Sequence, residues 1–146
     1  MNQATPAIRA LARYLLTLDV SHGEPPEAGE QVAWIVFEKL RLNLSKLVGS
    51  AGFQALLTRA LALSKAEALW LEAVRVRADG TLEGFREIAS TQPVDAGEKG
   101  SSVLLAQLLG LLVTFIGEAL TLRLLRDVWP EAQVEDLHLG TEETPA

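Results

Sequence analysis

A chain of 146 residues, 49% of them hydrophobic, can bury the core of one domain without staples, and with no cysteine it has neither disulfides nor thiolate metal sites. Its net charge of −6 gathers at one end: residues 131–146 hold Glu131, Glu135, Asp136, Glu142 and Glu143, leaving 14 acidic against 13 basic residues before them. So near-neutral a body lacks the basic surface that phosphate backbones demand, which excludes a nucleic-acid partner, and the missing cysteines suit a reducing cytoplasm.

In chain order, Thr5-Pro6 supplies an N-cap and a first-turn proline, and Ile8, Leu11, Ala12, Leu15 and Leu18 follow at helical spacing. A first helix is predicted over 6–19. Arg9, Arg13 and Asp19 interrupt its apolar run, so it does not read as a signal peptide. Gly23, Pro25 and Pro26 make a loop. A second helix, about 27–48, carries the stripe Ala33, Val36, Phe37, Leu40, Leu44, Leu47 and Val48, with Glu38, Arg41 and Lys46 away from it. Lys39, Arg41 and Lys46 read as a solvated face.

The break GSAG (49–52) precedes a helix over 51–63 with Phe53, Leu56, Leu57, Ala60 and Leu61 inward. Ser64 and Glu67 have capping-box spacing, which predicts a further helix from Lys65, its inward side Leu69, Trp70, Ala73 and Val74. Residues 74–85, VRVRADGTLEGF, change to an alternating pattern. A hairpin with the three-residue loop Ala78-Asp79-Gly80 would oppose Val76 to Leu82 and Arg75 to Glu83, separating an apolar face from a charged one. The alternative is a helix that ends at Gly80. Residues 86–102, with Pro93, Gly97 and Gly100, read mainly as connection. The last helix is expected from Ser101 to just before Pro130, followed by an acidic, flexible tail over 131–146.

The stretch 103–122, VLLAQLLGLLVTFIGEALTL, is nearly long enough to span a bilayer, which takes about 20 apolar residues. Within it Gln107, Gly110, Thr114, Gly117 and Thr121 fall 3, 4, 3 and 4 apart, a seam of small or polar residues where another backbone can approach. The other helices carry apolar stripes that need covering. The expectation is an all-α, mainly helical bundle of about five helices in one domain, 1–130, around this central helix. Membrane insertion of 103–122 is the alternative.

Chemistry is sparse. His22 and His138 are the two histidines, without the spacing that puts two metal ligands on one helix face, and no nucleophile elbow or Ser/His/Asp spacing occurs. No catalytic residue, metal or cofactor is expected. Residues 97–102, GEKGSS, could offer the amides of Gly100, Ser101 and Ser102 to an anion, but read as loop and cap. Glu118 is the candidate buried acid: it either anchors a ligand in a bundle pocket or sits at the bundle edge. Trp34, Trp70 and Trp129 could line a pocket, though packing is their commoner use.

Residues 51–84, AGFQALLTRALALSKAEALWLEAVRVRADGTLEG, and 104–130, LLAQLLGLLVTFIGEALTLRLLRDVWP, resemble a group of uncharacterised bacterial proteins. The resemblance implies a bacterial source and supplies no activity, cofactor or site. The functional expectation is a non-catalytic, cytoplasmic interaction or regulatory module that binds a protein partner or itself as a homodimer. The alternatives are a membrane-associated helical protein and a small-ligand binder using Glu118.

Overall fold

The computed structural model describes residues 4–22, 32–130 and 132. Among them are five helices and one small antiparallel sheet: α1 (Pro6–His22), α2 (Val32–Ser64), β1 (Arg75–Val76), β2 (Leu82–Glu83), α3 (Phe85–Ser90), α4 (Val94–Ile116) and α5 (Glu118–Val128). The fold is mainly α. The expected loop from Gly23 onward, the helix start at 27 and the tail over 131–146, Ala132 apart, lie outside the described residues.

In α1 the Thr5 hydroxyl accepts a bond from the Ile8 amide at 3.2 Å, the predicted cap, and Ile8, Leu11, Ala12, Leu15 and Leu18 are buried. α2 joins the second and third predicted helices across Gly49, whose φ of 82° and ψ of 159° only glycine adopts readily. Ala33, Val36, Phe37, Leu40 and Leu44 are core before the break, and Phe53, Leu57, Ala60 and Leu61 after it. Leu47, expected in the stripe, is exposed, whereas Val48 beside it packs against the core.

The predicted capping box does not form. Ser64 is buried at the end of α2, and its hydroxyl donates backward to the Ala60 carbonyl at 2.7 Å. Glu67 turns instead to Arg9 of α1, which grips its carboxylate with two bonds of 3.1 and 2.8 Å. With neither half of the box available, the chain makes turns and a short 3-10 segment, Leu69–Ala73. Val74 is buried and Trp70 packs against the core as expected, but Leu69 and Ala73 lie on the surface and Leu71 takes the inward place.

The hairpin has the predicted three-residue loop and register, Arg75 opposite Glu83 and Val76 opposite Leu82. Gly80 takes a φ of 88°, and a Cβ there would stand 2.8 Å from the Phe53 ring, so both the turn and the packing require glycine. The Thr81 hydroxyl and amide both donate to Asp79, holding its carboxyl below the usual range. Leu82 is buried, and the charged side of the ribbon is exposed.

Residues 86–102 are helical rather than connecting. α3 brings Phe85 against the Phe37 and Trp70 rings at 5.8 and 5.7 Å, and α4 begins at Val94, seven residues before the predicted Ser101. Gly97 and Gly100 are buried in this helix, and Gly100 marks close packing rather than a loop. A Cβ on Gly100 would fall 2.4 Å from Trp70, whose indole nitrogen donates to the Ala96 carbonyl at 3.0 Å.

α4 is the centre of the bundle and packs against α1, α2 and α5. Every residue from Val103 to Gly110 is buried, so this segment is enclosed on all sides, as the apolar run required. It does not run on to Pro130. Gly117, with φ 93° and ψ 158°, ends α4 and begins α5, its carbonyl accepting both the Thr121 amide and the Thr121 hydroxyl.

Two outcomes test this packing. Gly100→Ala is expected to lower the unfolding free energy by about 1–3 kcal/mol through overpacking. In a Trp70→Ala background the same change should be neutral or stabilising, because the helix then gains from alanine without the clash; urea unfolding of the four proteins measures the coupling. The Arg9 guanidinium, chiefly by its hydrogen bonds, holds the Glu67 carboxyl below its usual range. A folded value below the unfolded one, about 4.3, means the stabilisation is complete above that pH and is lost as acid takes the pH through the folded value. The pair is about one-quarter to one-third exposed, 26% and 33%. Glu67→Gln should therefore cost at most about 1 kcal/mol at pH 7, and the difference from the parent should shrink at pH 3.

Candidate interaction surface

α2 and α5 lie side by side and run in opposite directions. Leu47 and Leu120 line the same groove near the glycine breaks, whereas at the other end the Lys39 ammonium stands 5.8 Å from the centre of the Trp129 ring. Between them is an open groove of about 300 Å³, lined by Asn43, Lys46 and Leu47 of α2 and Leu120, Arg123, Leu124 and Asp127 of α5. Its floor is Leu124, nearly buried, with Leu47 and Leu120 beside it at 48% and 39% exposure. At the same end Phe115, in the last turn of α4, is 64% exposed.

Some charges elsewhere are in ion pairs, although among the described residues Arg13, Arg59, Glu72 and Lys99 are not. Arg9 pairs with Glu67 and Arg41 with Glu38, each at 2.8 Å. Lys46, Arg123 and Asp127 are exposed, and among the described residues none has an opposite charge within 4.0 Å. Among the described residues three side-chain atoms, Ser45 Oγ, Arg126 Nε and Trp129 Nε1, are buried without a hydrogen-bond partner there. All belong to α2 or to α5 and its C-cap. Exposed leucines beside unpaired charges of both signs suit a macromolecular surface.

The residues singled out in the sequence are scattered. Gln107, Gly110 and Thr121 are buried, whereas Thr114 and Gly117 are exposed, and the break at Gly117 puts Thr121 on a different helix from the others. The Thr114 hydroxyl bonds back to the Gly110 carbonyl at 3.0 Å. Glu118 is partly exposed and opens α5, where a carboxylate favours the positive end of the helix dipole; it does not line the groove. Gly100, Ser101 and Ser102 lie inside α4, so the predicted loop and its open amides are replaced by helix. Trp34 stacks with the Arg86 guanidinium, Trp70 lies on Gly100, and Trp129 is buried at the end of α5; none lines the groove.

Among the described residues no group of three or more His, Asp or Glu side chains is placed to hold a metal ion. His138 and the acidic segment after Pro130 lie outside the described residues, Ala132 apart. Sequence reasoning noticed Lys46 as a surface charge but assigned Leu47 to the core and missed the α5 side of the groove. The signal available was the i, i+3, i+7 set Leu120, Arg123 and Asp127 on one face of α5.

No protein-family model, curated protein or solved structure matches this chain.

If Leu47 and Leu120 belong to a surface rather than to the core, replacing either with Ser should change stability by no more than about 0.5 kcal/mol. Leu108→Ala in the centre of α4 should cost about 2–5 kcal/mol. Thermal or urea unfolding of the three variants separates the two classes, and losses of equal size would assign the groove leucines to the core.

Proposed function

We propose that this chain is a non-catalytic helical module that binds protein, either another copy of itself or a different chain, through the groove between α2 and α5. The observation that carries the reading is the coincidence there of exposed Leu47 and Leu120 with Lys46, Arg123 and Asp127, charges that have no partner within the described part of the chain. Hydrophobic side chains at the centre of a patch supply affinity, and unpaired charges around them supply orientation and selectivity. A soluble cytoplasmic role in a bacterium belongs to the same proposal. Its supports are the absence of cysteine, the resemblance over residues 51–84 and 104–130, and the enclosure of Val103–Gly110 within the bundle.

A second reading, association with a lipid surface, is favoured by one specific observation. α2 and α4 are both long and apolar enough to cross a membrane, and in α2 only 28% of the most apolar window is buried, against 67% in α4. An amphipathic helix with that much outward apolar surface can lie on a membrane as well as on a protein.

Two measurements on the full chain distinguish them. In detergent-free buffer, light scattering at two concentrations should give a discrete monomer or dimer, and the protein should stay in the supernatant when liposomes are sedimented. A photo-crosslinking amino acid at Leu120, expressed in cells, should give a discrete protein adduct, whereas the same group at exposed Thr58 should not. Liposome binding, or aggregation that detergent reverses, would put the lipid reading first.

A further inference from the structure

The sequence contains a single Asp-Gly step, Asp79-Gly80, and no Asn-Gly step. It lies at the tip of the β1–β2 hairpin, where Asp79 is exposed. We propose that Asp79 is a site of aspartate isomerisation that the closed hairpin holds latent, with Thr81 as its guard. In that reaction the Gly80 amide nitrogen attacks Cγ of the Asp79 side chain. A C–N bond forms, the carboxyl hydroxyl leaves with the amide proton as water, and a five-membered succinimide closes. Water then opens the ring at one of its two carbonyls. One opening restores aspartate, and the other leads the main chain through the β-carbon and gives isoaspartate, with no net change in atoms. Glycine is the following residue that least obstructs the attack, since it has no Cβ.

In the folded chain both reacting groups are engaged. The Gly80 amide donates to the Arg77 carbonyl at 2.9 Å, so the nitrogen is tied into the turn by the bond that attack must break. Gly80 is also seated against the Phe53 ring, which limits how far the tip can move while the hairpin is closed. On the other side, Asp79 Oδ1 accepts the Thr81 amide at 3.0 Å and the Thr81 hydroxyl at 2.7 Å. Arg77 donates in turn to that hydroxyl at 3.2 Å. The two Thr81 bonds, with the positive Arg41 and Arg77 nearby, favour the ionised carboxylate, which has no hydroxyl to lose as water. Reaction therefore waits on local opening. The strands are two residues long, and so short a ribbon is marginal by itself. Isoaspartate adds one carbon to the main chain of a loop whose length sets buried Leu82 opposite Val76, so the product does not close the same turn.

The test follows isoaspartate in the full chain at neutral pH. Trypsin cuts after Arg77 and Arg86, so the peptide Ala78–Arg86 carries the site, and its aspartate and isoaspartate forms, equal in mass, separate by chromatography. The free peptide of the same sequence sets the unguarded rate. The folded chain should form isoaspartate at least about tenfold more slowly, because the reaction follows the small open population. Thr81→Val removes the hydroxyl and keeps the amide; in the folded chain it should speed the reaction about threefold or more, the effect of one lost hydrogen bond. The same change in the free peptide should leave the rate as it was, and Thr81→Ser in the folded chain should match the parent. Circular dichroism checks that both variants keep their helices. Equal rates in the folded chain and the free peptide overturn the proposal. So does a free peptide that forms no isoaspartate, or a folded Thr81→Val chain no faster than the parent.

Discussion

The rest of the fold depends on enclosing one segment of α4. Val103 to Gly110 are buried without exception, and a helix buried on all its faces needs neighbours on all its faces. α1, α2 and α5 supply them, each with a stripe that would be costly to expose alone. Burying a leucine side chain is worth about 1.5–3 kcal/mol, and Leu104, Leu105, Leu108 and Leu109 are all in the enclosed segment. The one polar side chain there, Gln107, is buried among them. Where α4 enters the bundle, Gly97 and Gly100 leave room for the chain before it, and Trp70 closes that space while its indole nitrogen bonds to the Ala96 carbonyl.

Two glycines shape the periphery around this centre. A continuous helix over Val32–Ser64 would be about 50 Å long, more than a domain of this size can cover. Gly49 divides it, so that Phe37 and Leu40 on one side and Phe53 and Leu57 on the other reach the same core. Gly117 does the same for the run from Val94 to Val128, and its backbone angles nearly repeat those of Gly49. At neither position would a Cβ meet a neighbour within 4 Å, so backbone conformation rather than space selects glycine. The two divided helices place Leu47 and Leu120 on one groove, and both residues lie close to these breaks in sequence.

Some of this was legible from residue order, for reasons that are local. The hairpin register followed from asking which pairing keeps Val76 with Leu82 and leaves Arg75 with Glu83, and from Gly80 at the one loop position that needs a left-handed residue. α1 followed from Thr5, Pro6 and a stripe of five apolar residues. The failures have a common cause. Ser64 and Glu67 have the spacing of a cap, but Arg9, 58 residues away in sequence, takes the carboxylate. Gly100 resembles a loop residue until Trp70 is known to lie on it. The groove joins Asn43, Lys46 and Leu47 to residues more than seventy positions later, a proximity that periodicity within either helix does not contain.

By itself, then, the order of residues determined the mainly helical class, the identity of the helix that must be enclosed, and most of the face that α1 and the two halves of α2 would bury. Those properties follow from period and polarity, which act over a few neighbours. Only the tertiary structure decided that Ser64 would end a helix and not begin one, that Gly100 would serve packing, and that Gly117 would divide the apolar run. Only it brought Lys46, Arg123 and Asp127 along one groove. Each of those outcomes turns on a competition between a local preference and a contact supplied from elsewhere in the chain, and the long-range contact exists only once the bundle has closed.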